Sequence, residues 1–137
     1  MSSGVVAEAT RRSGLVWVDG QPVWHVWHDD AAWVVTGGLE QRLVVGSTAV
    51  VDVRSRDRQA DLLVRWVAAV TEVAPGSAAW DAVVPLLRAA RLHSPDGAAA
   101  PERWARESRV LRLDPTGEEL PVTDEERVVT TRSPGQR

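Results

Sequence analysis

Residues 13–38 read SGLVWVDGQPVWHVWHDDAAWVVTGG. Three short runs rich in Val and Trp are separated by Asp19-Gly20 and by Asp29-Asp30. Asp-Gly between β-rich runs is a strong local hairpin signal, because its backbone accepts the positive φ angles that a two-residue turn requires. The stretch therefore predicts an antiparallel meander with strands at 14–18, 22–28 and 32–36. It holds four of the seven tryptophans of the chain. A small domain that opens this way is a barrel or a sandwich.

Downstream, 48–54 (TAVVDVR) reads as a fourth strand and 61–73 (DLLVRWVAAVTEV) as a long fifth one. Val64, Trp66, Ala68 and Val70 share one face of the fifth at a period of two. A strand of that length has to bend to close a barrel, and Ala68-Ala69 is the expected place. Pro75-Gly76 then turns the chain, Ser77 caps a helix, and 78–92 carries apolar residues at helical spacing. Pro85 conflicts with that helix, since it removes a hydrogen bond and presses on the carbonyl of Asp81; a kink or a restart is expected. Residues 101–107 suit a short helical turn, and 108–114 a sixth strand. Pro115-Thr116-Gly117 reads as a turn. The resulting division is a flexible arm at 1–12 with one helical turn through 5–10, a domain at 13–117, and a disordered tail at 118–137.

Composition narrows the function classes. With 137 residues the chain is one domain, large enough for a real core. It has no Phe and no Tyr, so tryptophan supplies all the large flat surface, each ring burying on the order of 150–250 Å². There is no cysteine, which excludes disulfides, thiolate metal sites and a thiol nucleophile. Net charge is −3 and no basic cluster has the scale of a nucleic-acid binder. No apolar run approaches the ~20 residues that span a bilayer, and 1–12 lacks the order of a signal peptide. A cytoplasmic protein with no nucleic-acid and no membrane partner is the expectation. No P-loop, dinucleotide fingerprint or nucleophile elbow is present.

Several pieces together resemble the pyridoxamine-phosphate-oxidase-like split-barrel superfamily, in particular its short actinobacterial members, which are often placed with flavin- or deazaflavin-binding proteins. They are VDGQPVWHVWHD at 18–29, VTGGLEQ at 35–41, VRSRD at 53–57, RWVAAVTEVAPGSAAWDAVV at 65–84, and ERWARES with VLRLDPTG at 102–117. The resemblance implies a mainly β fold with α: a six-stranded antiparallel split β-barrel with one main helix at about 78–92. It implies a homodimer with FMN or F420 in a groove between barrels, and an oxidoreductase activity carried by that cofactor. It places Thr36, Gly38 and Gln41 near the cofactor, makes Arg54, Ser55 and Arg56 candidate phosphate ligands, and lets Arg103 and Trp104 reach across the interface. One departure stands out. Glu40 puts a negative charge where a phosphate clamp wants a positive one, with Arg42 as the nearest compensation.

Each candidate also has an ordinary reading. Arg54-Ser55-Arg56 suits an oxyanion, but SRDRQ at 55–59 is equally a solvated hairpin tip balanced by Asp57. His25 and His28, three apart on an expected strand, point to opposite faces and cannot share a metal ion. One of them faces inward as a structural imidazole or meets a ligand, and haem ligation is the third reading. Trp24 and Trp27 likewise face opposite ways, one into the barrel and one outward to an interface or a ring. The alternative to a cofactor enzyme is a non-catalytic dimeric barrel that binds another small molecule or a protein.

Overall fold

A computed structural model describes residues 4–55, 62–91 and 97–122. In chain order the elements are α1 (Gly4–Arg12), β1 (Leu15–Val18), β2 (Gln21–Trp24), β3 (Val26–His28), β4 (Ala31–Thr36), β5 (Thr48–Arg54), β6 (Leu62–Val73), α2 (Ala78–Ala90), a 3-10 turn at Gly97–Ala99, α3 (Ala100–Glu107) and β7 (Arg109–Leu120). All seven strands form one antiparallel sheet in the order β2-β1-β5-β6-β7-β4-β3. Among the described residues no helix is long and apolar enough to cross a membrane.

The expected hairpin turns form. Asp19 and Gly20 both have positive φ (48° and 80°), and so do Asp29 and Asp30 (50° and 58°). Asp is among the few residues that tolerate this region. The expected second strand, however, is two strands. It breaks at His25, and its halves β2 and β3 lie at opposite edges of the sheet. Only one residue separates them, so the two edges meet within two Cα–Cα steps, about 7–8 Å at most. The sheet is therefore curled on itself, with a seam at His25. That break raises the strand number from the expected six to seven.

Three further expectations need correction. Residues 4–12 are not a loose arm but helix α1, which drives Val6 and Thr10 fully into the interior. Pro115-Thr116-Gly117 does not end the domain. In the ladder, Trp66 pairs with Glu119 and Ala68 with Pro115, so the three residues 116–118 bulge opposite Val67 alone. The Thr116 hydroxyl donates to the Val67 carbonyl at 3.0 Å, and Leu120 then resumes pairing with Arg65. The irregularity sits beside Ala68, where the long strand was expected to bend. Pro85 does not divide α2, which is one element from Ala78 to Ala90. Ser77 caps it by accepting from the Trp80 N–H at 3.2 Å. Pro85 lies on the exposed face, where water can reach the carbonyl it leaves unbonded.

Two apolar cores result. The inner one fills the curl with Val16, Val18, Val34, Val51, Val53, Trp66, Leu111 and Leu113, plugged by Val6 of α1. The outer one packs Trp80, Val83, Val84 and Leu87 of α2, together with Trp104 of α3, on Ala31, Trp33 and Val35. Strand β4 is buried on both faces and separates the two. Trp24 and Trp27 do face opposite ways, Trp24 packing on the outer core and Trp27 on the inner one, edge-on to Trp66 at 6.3 Å.

Candidate functional site

The segment after β4 is held by its own polar side chains. Gln41 spends its whole amide within the chain: Oε1 accepts from the Trp24 N–H at 2.8 Å, and Nε2 donates to the carbonyls of Trp24 (2.9 Å) and Val35 (3.1 Å). It stands in for a missing strand and stitches edge strand β2 to β4. Thr36 Oγ1 accepts from the Leu43 N–H at 2.9 Å. Gly38 has φ +63° and lies against α3. A Cβ there would meet the Glu107 carbonyl at 3.0 Å and Ser108 Oγ at 3.1 Å. These three expected cofactor contacts brace the barrel seam.

Glu40 explains the negative charge that looked out of place. Its carboxylate is fully buried among donors. Arg91 Nε reaches Oε1 at 2.6 Å, and Arg103 Nη2 (3.0 Å) and Trp104 Nε1 (2.9 Å) reach Oε2. Burial pushes the Glu40 carboxyl up. The bonds from Trp104, Arg91 and Arg103 outweigh it, so its pKa lies below the ordinary value of 4.5. Arg42, the expected compensation, is exposed, and Arg91 and Arg103 neutralise Glu40 instead. Arg103 and Trp104 are thus buried around a carboxylate of their own chain rather than extended toward a second one.

Arg54 and Ser55 lie elsewhere, on the wall of a cleft of about 620 Å³. Its other walls are Ser13–Leu15 before and in β1, Trp17, Trp24, His25, and Ala89 and Ala90 at the end of α2. The Asp19-Gly20 turn sets the register Leu15↔Trp24 and Trp17↔Pro22, which puts both tryptophans on the outward face of the hairpin. The Arg54 guanidinium lies 5.6 Å from the centre of the Trp17 ring. A second cleft of about 740 Å³ continues past Ser13, Arg54 and Ser55 between α1 and β6, where Val5, Ala9 and Leu63 line it. Glu40 bears on the first cleft through Arg91, which caps the end of α2 directly after Ala89 and Ala90.

His25 is 8% exposed on that cleft wall. Its Nε2 meets the Thr10 carbonyl at 2.9 Å, so Nε2 carries the proton and donates. Nδ1 is enclosed and has no hydrogen-bond partner among the described residues. Burial lowers the His25 pKa, and the bond to Thr10 opposes it in part. The ring is neutral at pH 7. His28, on β3, packs beside Trp33 at 6.0 Å.

Of the candidates read from sequence, the cleft collects Arg54, Ser55, Trp24 and His25. Thr36, Gly38, Gln41, Arg103 and Trp104 lie in the bracing network, and Arg56 and His93 fall outside the described residues. Trp17 and Leu15 were missed. The signal for them was present, because a two-residue Asp-Gly loop pairs residue 18 with 21, and hence 17 with 22 and 15 with 24.

No family model matches the chain, and no curated protein matches it. A solved structure does. HutZ, the heme storage protein from Vibrio cholerae, superposes with a TM-score of 0.56 over 84% of this chain and 90% of its own, at 12% sequence identity. What is shared at that identity is the fold, and the curled seven-stranded sheet with its packed helices is a split barrel.

Proposed function

We propose that this chain binds a flat, anionic ring compound of the flavin or deazaflavin class, FMN or F420, in the cleft between the β1–β2 hairpin, the end of β5 and the end of α2. The observation that carries the reading is the convergence of Trp17, Trp24, Arg54 and Ser55 on one cleft. Its volume falls within the few hundred to ~1,000 Å³ usual for small-molecule sites. Tryptophan faces suit a planar ring. A guanidinium beside a hydroxyl suits a phosphate, which needs charge and several donors at once. Arg56, two residues beyond Arg54, is a candidate for the same anion. Bound there, such a ring would supply hydride chemistry. The chain's residues would orient it, hold its phosphate and exclude water, and an oxidoreductase activity is part of the proposal.

The proposal includes a homodimer. Trp17, Val50, Val67 and Ala69 alternate with inward-facing residues of β1, β5 and β6 and are half-buried on the outward face. Around them the Asp52–Arg65 pair closes with bonds of 2.7 and 3.2 Å. A second copy would cover this face and close the cleft beside Trp17.

Native mass spectrometry of freshly isolated protein tests both parts by reporting subunit number and bound mass together. Titration with FMN or F420 should quench tryptophan fluorescence. Arg54→Ala should weaken binding by about 10–100-fold, the worth of one charge-assisted bond at about 1.5–3 kcal/mol. Absence of quenching with either compound would end the cofactor reading.

Haem is the second reading, favoured by the fold shared with a heme storage protein. A Soret band on adding haemin decides for it. His25 is an awkward axial ligand, since one nitrogen is committed to Thr10 and the other is enclosed. A non-catalytic barrel for another small molecule or a protein partner is what remains if neither compound class binds.

A further inference from the structure

Helix α1 closes the barrel through one residue that makes two bonds to the interior. The Thr10 carbonyl accepts from His25 Nε2 at 2.9 Å, and the Thr10 hydroxyl accepts from Trp66 Nε1 at 3.1 Å. Val6, one turn back, and Ala9, the preceding residue, complete the plug in the inner core. The contact sits at the seam, because His25 is the residue that carries the chain from β2 to β3. Since Nε2 already donates, a second proton could go only to Nδ1, which is enclosed and has no acceptor among the described residues.

The charges around the ring decide what that proton would do. On α1 they are Glu8, Arg11 and Arg12, tied to one another on its exposed side at 2.6 and 3.7 Å. The cleft wall contributes Arg54. The last turn of α2, which ends on the same cleft, contributes Arg88. Strand β3 contributes His28, and β4 has no titratable group. The ionisable residues of β6 are Arg65, bound to Asp52, and Glu72, bound to Arg109 at 3.0 Å. Among the described residues no carboxylate lines the cleft with His25, and most of its charged neighbours there are positive. One effect favours the imidazolium: it would sit at the carbonyl end of α1, worth up to about 2 kcal/mol. An unpaired buried ion costs several kcal/mol, so burial wins.

We propose that His25 is an acid-operated latch: a proton taken from solvent onto Nδ1 releases α1 from the barrel and opens the seam between β2 and β3 to the cleft. A helix of nine residues is not stable by itself in water, so α1 unwinds once its apolar face is released. Release of the helix needs no ligand. The consequence that a bound compound would be let go in acid rests on the cleft reading above.

The chain has no cysteine, so a nitroxide can be placed at one site by Val5→Cys, a position 66% exposed on α1. The label is placed in three backgrounds: native, His25→Gln and His28→Gln. Gln at 25 keeps an N–H for the Thr10 carbonyl but takes no proton. Electron paramagnetic resonance is recorded as the sample is acidified from about pH 8 to about pH 5, the range over which histidines titrate. The mobile component is expected to grow from minor to dominant in the native and His28→Gln backgrounds and to stay minor in His25→Gln. Far-UV circular dichroism should retain the sheet throughout. The ¹⁵N shifts of the His25 ring in the native background give an independent arm that needs no substitution at 25, and their midpoint should match that of the label. The latch is overturned by any of four results: equal loosening in His25→Gln, a label that stays immobile across the range, midpoints that differ, or loss of the whole sheet together with α1. None of these readouts involves FMN, F420 or haem, so failure of the binding proposal leaves them interpretable.

Discussion

At the scale of single residues, the strongest constraint is the Glu40 carboxylate. It pairs with both Arg91 and Arg103 and accepts from the Trp104 N–H, and all four side chains are largely removed from water. Breaking a buried ionic group by removing one partner is far more costly than the group is worth as a unit, because the charges left behind stay desolvated. Glu40→Gln keeps the shape and removes the charge. It should lower unfolding stability by about 3–5 kcal/mol in urea denaturation. It should also loosen the end of α2, through Arg91, and with it the cleft wall at Ala89 and Ala90. A change of less than about 1 kcal/mol would mean that the two guanidinium groups find other partners at no expense. The sequence displayed Glu40 as an anomaly beside a glycine pair, but its partners lie 51, 63 and 64 residues away. Charge sign along the chain carries no information about which distant arginine folds over it.

At the scale of elements, what is local was legible and what is not local was hidden. Asp19-Gly20, Asp29-Asp30 and Ser77 each mark an element boundary by their own backbone or side-chain chemistry, and each does so in the structure. Alternation in 48–54 and 61–73 gave β5 and β6 nearly to the residue. The break at His25 had no such mark, because VWHVWH holds no Gly, Pro, Asn or Asp, and only the closing of the sheet pulls its halves to opposite edges. The bulge in β7 was equally disguised, since Pro115-Thr116-Gly117 has turn composition whether or not pairing resumes beyond it. Helix α1 was underestimated because its two buried residues, Val6 and Thr10, give too short an apolar face to read without its receptor. Helix α2 yields a test. Pro85 sits on the exposed face in mid-helix, with Leu86 beside it and no packing that requires a ring there. Proline in a helix interior is about 3 kcal/mol worse than alanine. Part of that is already relieved here, because the Asp81 carbonyl can bond water. Pro85→Ala should therefore stabilise the fold by about 1–2 kcal/mol, read as a higher denaturation midpoint at unchanged slope. Destabilisation would show that a bend at Pro85 is needed to seat Trp80 and Leu87 together.

For the whole molecule, the seam makes stability depend on pH in a definite order. The barrel is closed at the β2–β3 seam by Gln41, whose amide does not titrate, and by the His25–Thr10 bond, whose donor does. Burial lowers the His25 pKa below its ordinary 6.5, so the unfolded chain takes up this proton more readily than the folded one. Its contribution is complete above about pH 6.5 and is lost as pH falls from there toward the folded value. Glu40 is also lowered, from 4.5, but as an acid: its contribution is complete above that value and is lost as pH falls through the folded pKa. The two losses have the same sign and different onsets. Unfolding free energy measured in urea should be flat near neutrality and then decline by up to about 1.4 kcal/mol per pH unit from pH about 6.5 downward, the limit for one proton. A further decline should begin below pH about 4.5, where Glu40 starts to be lost. His25→Gln should remove the upper limb and leave the lower one. Glu40→Gln should do the reverse, from a lower starting stability. If the upper limb survives in His25→Gln, the seam is not where acid acts on this barrel.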